Sequence, residues 1–263
     1  MKNTYFESSD IRKITYTGLM TALVLLATLV IKVPVPFTNG YIHLGDSMIF
    51  IAAILLGWKY GAFAAGVGSA LADVIGGYAH WAIPTLIIKA LMGAIVGICV
   101  SEKFRNKMYI YLSIFFAGGF AIFNVILRNI LSSKISLETN ALNNNLLDEL
   151  ELNSVEELIS LTNKVETQLL IITVLIPLII LGLSLLVAKL NNIKFKPAYT
   201  FGFVIAGTFM VFGYYIASYI MTGNYIVPIF SLPWNIVQFI MGLIIANLIV
   251  AGLNKSKLSI PLK

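Results

Sequence analysis

Apolar runs long enough to cross a membrane dominate this chain and leave little choice of fold. A bilayer core about 30 Å thick needs about 20 apolar residues per helix. Hydrophobic residues make up 59% of the 263 residues and charged residues only 11%, which is outside the range of soluble domains. We therefore predict an all-α polytopic membrane helical bundle that forms a single integral membrane domain over residues 1–263. The apolar runs predict eight spans, at about 14–31, 46–58, 60–77, 83–100, 109–131, 168–189, 199–221 and 233–253.

Basic residues predict how the bundle is oriented. With eight spans, five basic segments fall on one side: the two chain ends and the turns after the second, fourth and sixth spans. They hold most of the 18 lysines and arginines. Because positive residues are retained on the cytoplasmic side, we expect both termini to be cytoplasmic in a multi-pass protein of the plasma membrane. An odd number of spans would break this agreement.

The longest polar segment, at about 132–167, is predicted to lie outside the cell. Acidic residues outnumber basic ones in it. Its middle, DELELNSVEELISL, has helical spacing, and Asn153-Ser154 is a plausible N-terminal cap. A solvated helix that covers two helix ends is one interpretation, and a surface that binds a partner or attracts substrate is the other.

Charges inside apolar segments are the first candidates for a functional site. Asp46, Asp73 and Lys89 lie within or at the ends of helices rich in glycine and alanine. A charge in the membrane costs several kcal/mol unless it is paired or near water. Lys89 is expected either to contact a polar or phosphate-like ligand group or to pair with one of the two aspartates. For Asp73, capping of a neighbouring helix is a further alternative.

Aromatic and amide residues are predicted to gather at the outer ends of several spans. They come from the segment 32–45, a predicted loop able to cover a pocket, from the turn after the third span, and from the start of the last span. Together with one buried cation they suit a flat, polar or anionic heterocycle. Interfacial anchoring and interhelical hydrogen bonds are the alternatives. The substrate-binding candidates are Asn39, Tyr41, His43, Tyr78, His80, Trp81, Lys89, Trp234, Asn235 and Gln238.

Motifs of catalysis are missing from the sequence. It contains no GxxxxGK[ST] loop for ATP, no HExxH and no GxSxG. His43 and His80 stand without cysteine or acidic neighbours at ligand spacing. We therefore expect no enzymatic activity, no metal site and no cofactor.

Small residues on the first span predict a helix-packing surface. Gly18 and Ala22 are four positions apart, a spacing that allows close approach of another helix. That helix would belong either to the same chain or to a partner subunit.

Two blocks of the chain resemble the substrate-binding S components of energy-coupling-factor (ECF) vitamin transporters. The first, within 41–97, contains HLGDSMIFIAAILLGWKYGAFAAGVGSALADVIGGYAHW and IIKALMGAIVG, and the second, within 201–250, contains FVIAGTFMVFGYYIASYIMTGNYIVPIFSLPWNIVQFIMG. They are similar to the branch with hydroxymethylpyrimidine, pyridoxine and riboflavin types.

The resemblance implies a six-helix core, a transmembrane coupling protein and two cytoplasmic ATPases. It also implies that the subunit reorients in the lipid bilayer, that the first outer loop acts as a lid, and that Gly18 and Ala22 meet the coupling protein. Residues 105–195 depart from the pattern, and we interpret them as an insertion of two spans with the acidic loop 132–167.

Three functions are consistent with these features. The first is capture of a small water-soluble vitamin or precursor, of pyrimidine, pyridine or flavin type, for ATP-driven uptake by partner subunits. The second is self-sufficient, proton-coupled secondary transport with Asp46 or Asp73 as proton carrier. The third is a membrane interaction protein without transport activity.

Overall fold

Helices form nearly all of the described chain, and the prediction of an all-α membrane bundle is confirmed. The computed structural model describes residues 8–35, 40–101, 106–141, 145–189 and 197–255. Within these ranges, seven helices are long and apolar enough to cross a membrane. The elements are α1 (Ser8–Val30), β1 (Lys32–Val35), β2 (Gly40–His43), α2 (Gly45–Ile75), a 3-10 turn (Ala79–Trp81), α3 (Ala82–Cys99), α4 (Asn106–Ala141), α5 (Asn145–Glu149), α6 (Val155–Lys189), α7 (Pro197–Thr222) and α8 (Val227–Lys255).

Helix α2 doubles back on itself at Gly57. This residue has φ 75° and ψ −176°, a conformation that glycine adopts without the steric cost other residues carry. A Cβ atom placed on Gly61 would lie 2.6 Å from the Cα of Ala53. Eight residues of straight helix would separate these positions by about 12 Å. The second and third predicted spans are therefore two halves of α2, which explains seven helices where eight spans were predicted.

The segment after α1 is a β-hairpin rather than the predicted loop. Strands β1 and β2 pair antiparallel, with Lys32 opposite His43 and Val35 opposite Gly40. The valines of β1 favour extended backbone. The hairpin contacts α8 and α1 through β2. Residues 36–39 lie outside the described part of the chain.

Helix packing separates the described chain into two groups. Helix α2 contacts α1, α3 and α8, and α7 contacts α3 and α8. Helices α4 and α6 contact chiefly each other and, less, α7, and α6 also contacts α8. Of the predicted polar segment 132–167, the described parts are largely helical, because α4 continues to Ala141 and α6 begins at Val155. The polar segment is therefore a continuation of α4 and α6 more than a loop.

The predicted cap at Asn153-Ser154 is confirmed. The Ser154 hydroxyl accepts a hydrogen bond from the backbone N–H of Glu157 at 3.2 Å, and the Glu157 carboxylate accepts one from the N–H of Asn153 at 3.1 Å. The first bond satisfies a donor that the start of a helix leaves free, and the second ties the residue before the cap to the first turn. Helix α6 thus begins well before the apolar run at residue 168.

Glycines on α2 set the close spacing of the helices around it. A Cβ on Gly68 would lie 2.7 Å from the carbonyl oxygen of Thr21 in α1, and one on Gly66 would lie 2.8 Å from that of Leu86 in α3. Small residues of this kind let membrane helices pack backbone to backbone. By contrast, a Cβ on Gly18 would meet no described atom within 4 Å.

We predict that Gly68→Ala destabilises the protein and that Gly18→Ala does not. The added methyl at Gly68 forces α1 and α2 apart, which costs about 1–3 kcal/mol, whereas both substitutions gain similar helix propensity. Thermal unfolding of the purified protein in detergent should show a Tm several degrees lower for Gly68→Ala alone. Equal Tm values for the two variants would contradict the packing described for α1 and α2.

Candidate functional site

A small polar cavity of about 40 Å³ lies between the hairpin and four helices. Strand residues line one side of it, and the 3-10 turn and parts of α2, α3, α7 and α8 supply the rest. Its lining combines amide, hydroxyl, carboxylate and aromatic groups, as small-molecule sites do. The lining residues are Val35, Gly40, Tyr41, His43, Asp73, Trp81, Thr85, Tyr214, Ser218, Ser231, Asn235 and Gln238.

A buried ion pair joins α2 and α3 beside this cavity. Lys89 Nζ lies 2.5 Å from Asp46 Oδ1, and both side chains are fully buried. The Lys89 ammonium also lies 3.1 Å from the sulfur of Met210 and 5.2 Å from the ring centroid of Tyr214. Neither charged residue lines the cavity. Of the alternatives for Lys89, the structure thus shows pairing with Asp46.

Gln238 of α8 connects the ion pair to the hairpin. Its Nε2 donates to Asp46 Oδ2 at 3.0 Å, and its Oε1 accepts from the backbone N–H of His43 at 3.2 Å. Both carboxylate oxygens of Asp46 therefore have a donor. Because unsatisfied polar groups are costly in a dry interior, this network favours one arrangement of α2, α3, α8 and β2.

His43 is a neutral imidazole at the end of β2. Its Nδ1 accepts a hydrogen bond from the N–H of Gly45 at 3.0 Å, so the proton resides on Nε2. Burial, and to a smaller extent the nearby Lys89 charge, lower the pKa of His43 to about 3 against the opposing effect of Asp46. At neutral pH this residue therefore brings no charge to the cavity.

Asp73, near the end of α2, bonds to the hairpin through one of its carboxylate oxygens. Its Oδ1 accepts a hydrogen bond from the Tyr41 hydroxyl at 2.8 Å, which is a second attachment of the hairpin. Burial and the Asp73 charge raise the pKa of Tyr41 above its usual value, so the phenol stays protonated and donates. Asp73 Oδ2 and Ser218 Oγ are buried and make no hydrogen bond within the described residues.

Aromatic rings form a continuous cluster beside the cavity. The ring of Tyr78 lies 4.5 Å from that of Tyr41 and 6.4 Å from that of His80, and Trp81 lies 6.1 Å from His80 and 5.8 Å from Tyr214. Of these rings, those of Tyr41, Trp81 and Tyr214 line the cavity. Tyr78 and His80 are outer members of the cluster, and His80 is exposed.

The predicted site residues fall into three groups. Tyr41, His43, Trp81, Asn235 and Gln238 line the cavity, together with Asp73. Lys89 and Asp46 lie beside it as a pair, whereas Tyr78, His80 and Trp234 lie outside its lining, Trp234 with 38% of its surface exposed. Asn39 falls outside the described residues.

Four hydroxyl-bearing residues of the lining were missed by the sequence analysis. They lie inside apolar runs, where isolated hydroxyls are typical of helix packing. Their spacing could have indicated that they share a helix face with other polar residues. Tyr214 and Ser218 are four positions apart on α7, and Ser231 precedes Asn235 by four on α8. The missed residues are Thr85, Tyr214, Ser218 and Ser231.

The predicted packing surface of α1 is exposed. Gly18 and Ala22 both face away from the described helices. Neighbouring exposed side chains on this helix are apolar, among them Leu19, Leu23 and Leu26. The described part of the chain therefore leaves this surface of α1 open to lipid or to another protein.

Comparisons with known proteins identify relatives of this chain. A family model described as ECF-type riboflavin transporter, S component, matches residues 8–161. An uncharacterized protein in the gap 3′ region of Pyrococcus woesei is 51% identical over 74 residues, which cover 28% of this chain and 49% of that protein. A UPF0397 protein of Streptococcus agalactiae is 27% identical over 119 residues, covering 45% of this chain and 62% of that protein. The chain thus spans less than two thirds of these relatives. No solved structure gives a significant match.

We predict that Lys89→Met destabilises the protein by about 3–5 kcal/mol, because it leaves the Asp46 carboxylate buried without its counter-charge. The double variant Lys89→Met, Asp46→Asn should recover much of this loss. The measurement is a double-mutant cycle on unfolding of the purified protein, with the exposed Lys59→Met as control. Purely additive effects of the two substitutions would contradict the coupling between these side chains.

We predict that His43 makes the protein less stable in acid. Below its usual pKa of 6.5 the unfolded chain binds a proton at His43 that the folded chain, with a pKa of about 3, does not bind. The free energy of unfolding should then fall by about 2 kcal/mol between about pH 7 and pH 5. His43→Asn keeps an acceptor for the Gly45 N–H but cannot titrate. Parallel pH profiles of Tm for the variant and the unmodified protein would contradict this assignment.

Proposed function

The chain belongs to the ECF-type riboflavin transporter S component family, and we propose that it is the substrate-binding subunit of an ECF-type ATP-driven importer. The seven membrane-length helices of its described residues make it a multi-pass membrane protein. The substrate is a small water-soluble vitamin or precursor of pyrimidine, pyridine or flavin type, taken up from outside. The observation that carries the proposal is the polar cavity built from four membrane helices and a hairpin.

Within this proposal the lining residues take different roles. Asn235 forms hydrogen bonds with an edge of the substrate, and Trp81 supplies a flat apolar wall. Tyr41 and His43 close the outer side, with Tyr78 and His80 behind them in the aromatic cluster. Gln238 and Lys89 act through the network that positions these groups, whereas Trp234 lies outside the cavity lining and takes no part in binding.

Partner subunits supply the energy for uptake. The chain has no P-loop, which is consistent with ATP use by two cytoplasmic ATPases joined through a transmembrane coupling protein. We assign the exposed surface of α1 with Gly18 and Ala22 as the contact with that coupling protein, since small residues allow close helix approach.

The proposed topology has both termini in the cytoplasm and the hairpin facing outward, in the plasma membrane. The two halves of α2 count as separate segments, so α1, α2, α3, α7 and α8 make a six-segment core. Residues 105–195 are the proposed insertion, and the chiefly mutual contacts of α4 and α6 support it. The family match runs through α4 to residue 161, so part of this region has a counterpart in the family.

A proton-coupled secondary transporter is the second candidate. The observation that favours it is the Asp73 carboxylate, which is buried and has one oxygen without a partner in the described chain. Such intramembrane carboxylates serve as proton carriers. Uptake by this chain alone in liposomes, driven by a proton gradient, distinguishes this candidate from the ECF importer.

We predict that Asn235→Ala lowers ligand affinity at least tenfold, because it removes an amide that lines the cavity. Mass spectrometry of the small molecule that co-purifies with the unmodified protein identifies the ligand. Titration calorimetry then measures its affinity, and ATP-dependent uptake is followed in liposomes that also contain the coupling protein and both ATPases.

Trp234→Ala is the matched control, since Trp234 neighbours Asn235 on α8 but lies outside the cavity lining. It should bind and transport like the unmodified protein. The proposed function is wrong if no small molecule co-purifies and the complete transporter accumulates none of the candidate vitamins in the presence of ATP.

A further inference from the structure

We propose that a groove between α4 and α7 binds one membrane lipid with an anionic phosphate headgroup. An acyl chain of this lipid lies in the groove, and its headgroup lies near the starts of the two helices. Lipid binding here does not depend on the proposed function, because the groove is separate from the cavity beside the hairpin. The lipid would fill a gap between the proposed insertion and the rest of the bundle.

The groove is apolar over its whole described lining. Its volume is about 370 Å³. The hydroxyl of Thr208 donates to the carbonyl oxygen of Val204 at 2.8 Å, so this lining residue is satisfied within α7. The groove therefore offers no free hydrogen-bonding side chain to water or to a water-soluble substrate. Its other lining residues are Phe115, Phe116, Gly119, Phe120, Phe209 and Phe212.

The groove lies at a matching depth on both helices. Its α4 residues follow Asn106 by about 9–14 positions and its α7 residues follow Pro197 by about 11–15, which places them about 14–23 Å along each helix. Both sets fall within helices long and apolar enough to cross a membrane. One hydrocarbon leaflet is about 15 Å thick, so an acyl chain whose headgroup lies at the helix starts reaches the groove.

Aromatic rings close the groove on the side away from the helix starts. The ring of Phe123 lies 4.1 Å from that of Phe212 and 5.2 Å from that of Tyr215, which fills the space between α4 and α7 there. At the other end, Phe115 has 72% of its surface exposed. The groove is therefore open to the bilayer on the side where α4 and α7 begin, and this favours a lipid of that leaflet.

A lipid chain fits this groove better than another helix does. The volume equals that of a cube about 7 Å on edge, whereas a helix with its side chains is about 10–12 Å across. An apolar cavity of about 150 Å³ already holds a benzene molecule, so the groove has room for a stretch of acyl chain. Left empty, it would deprive the phenylalanine rings of van der Waals contacts.

The sequence carries positive charge where the headgroup of such a lipid would lie. Five basic residues stand close to the first residues of α4 and α7, against one acidic residue, Glu102. Basic clusters at the cytoplasmic ends of membrane helices attract anionic lipid headgroups. This charge therefore favours an anionic headgroup over a zwitterionic one. The basic residues are Lys103, Arg105, Lys107, Lys194 and Lys196.

Native mass spectrometry of the purified full-length protein in detergent tests this proposal. The probes are phosphatidylglycerol and phosphatidylcholine that carry the same palmitoyl and oleoyl chains. One phosphatidylglycerol should bind per protein, at least tenfold more tightly than phosphatidylcholine. Gly119→Phe should weaken phosphatidylglycerol binding at least tenfold, because the added ring occupies the groove. A Cβ on Gly119 meets no described atom within 4 Å, so the backbone has room for the substitution.

Gly118→Phe is the matched control and should bind phosphatidylglycerol like the unmodified protein. Gly118 is also exposed on α4 and has no described atom within 4 Å of its Cβ, but it lies outside the groove lining. The preference of the unmodified protein between the two lipids decides the question even if Gly119→Phe does not fold.

Four results would overturn the inference. They are equal binding of the two lipids, undiminished phosphatidylglycerol binding by folded Gly119→Phe, an equal loss in both variants, and dimers of this chain that Gly119→Phe disrupts in place of a bound lipid. None of these measurements involves a vitamin, so each leaves the proposed function untouched.

Discussion

The ion pair between Lys89 and Asp46 is the interaction on which the arrangement of the site depends. Two opposite charges buried in a membrane protein are stable only next to each other and with their remaining hydrogen bonds satisfied. Asp46 lies at the start of α2 and Lys89 in the middle of α3, so the pair holds these helices in one relative position. Gln238 adds α8, which approaches so closely that a Cβ on Gly242 would lie 2.8 Å from the Cβ of Asp46.

Polar contacts attach the described part of the hairpin to this core, together with the buried side chains of Val35 and Ile42. Two of these contacts reach residues that line the cavity: one joins the backbone of His43 to Gln238, and the other joins the hydroxyl of Tyr41 to Asp73. The first leads back to the ion pair, whereas the second ends on a carboxylate that also faces the cavity. Any molecule that bonds to Asp73 therefore shares that carboxylate with the hairpin, which ties occupancy of the cavity to the position of the element that covers it.

Much of this arrangement could be predicted, and the remainder depends on distances that a sequence does not contain. Length and hydropathy predicted the spans, including a break between 58 and 60 that the fold places at the turn of Gly57. The sequence also marked Lys89 as a group in need of a partner, but only the fold shows Asp46 in that role and leaves Asp73 facing the cavity. In sequence, a hydroxyl residue such as Ser218 looks the same whether it packs against a helix or lines a cavity. Only the arrangement of the surrounding helices distinguishes the two roles. Trp234 and Asn235 are neighbours in sequence, yet only the helix orientation shows which one reaches the cavity.

The reversal at Gly57 also determines how deep the site lies. The first half of α2, from Gly45 to Leu56, is about 18 Å long at the rise of an α-helix, whereas the hydrocarbon layer is about 30 Å thick. If Gly57 marks one face of that layer, Asp46 lies about 12 Å below the other. In the proposed topology, a molecule held beside Asp46 would then lie more than a third of the way through the hydrocarbon layer. For the proposed importer, the path that remains to the cytoplasm would be about as long as the first half of α2 and not the full thickness of the membrane.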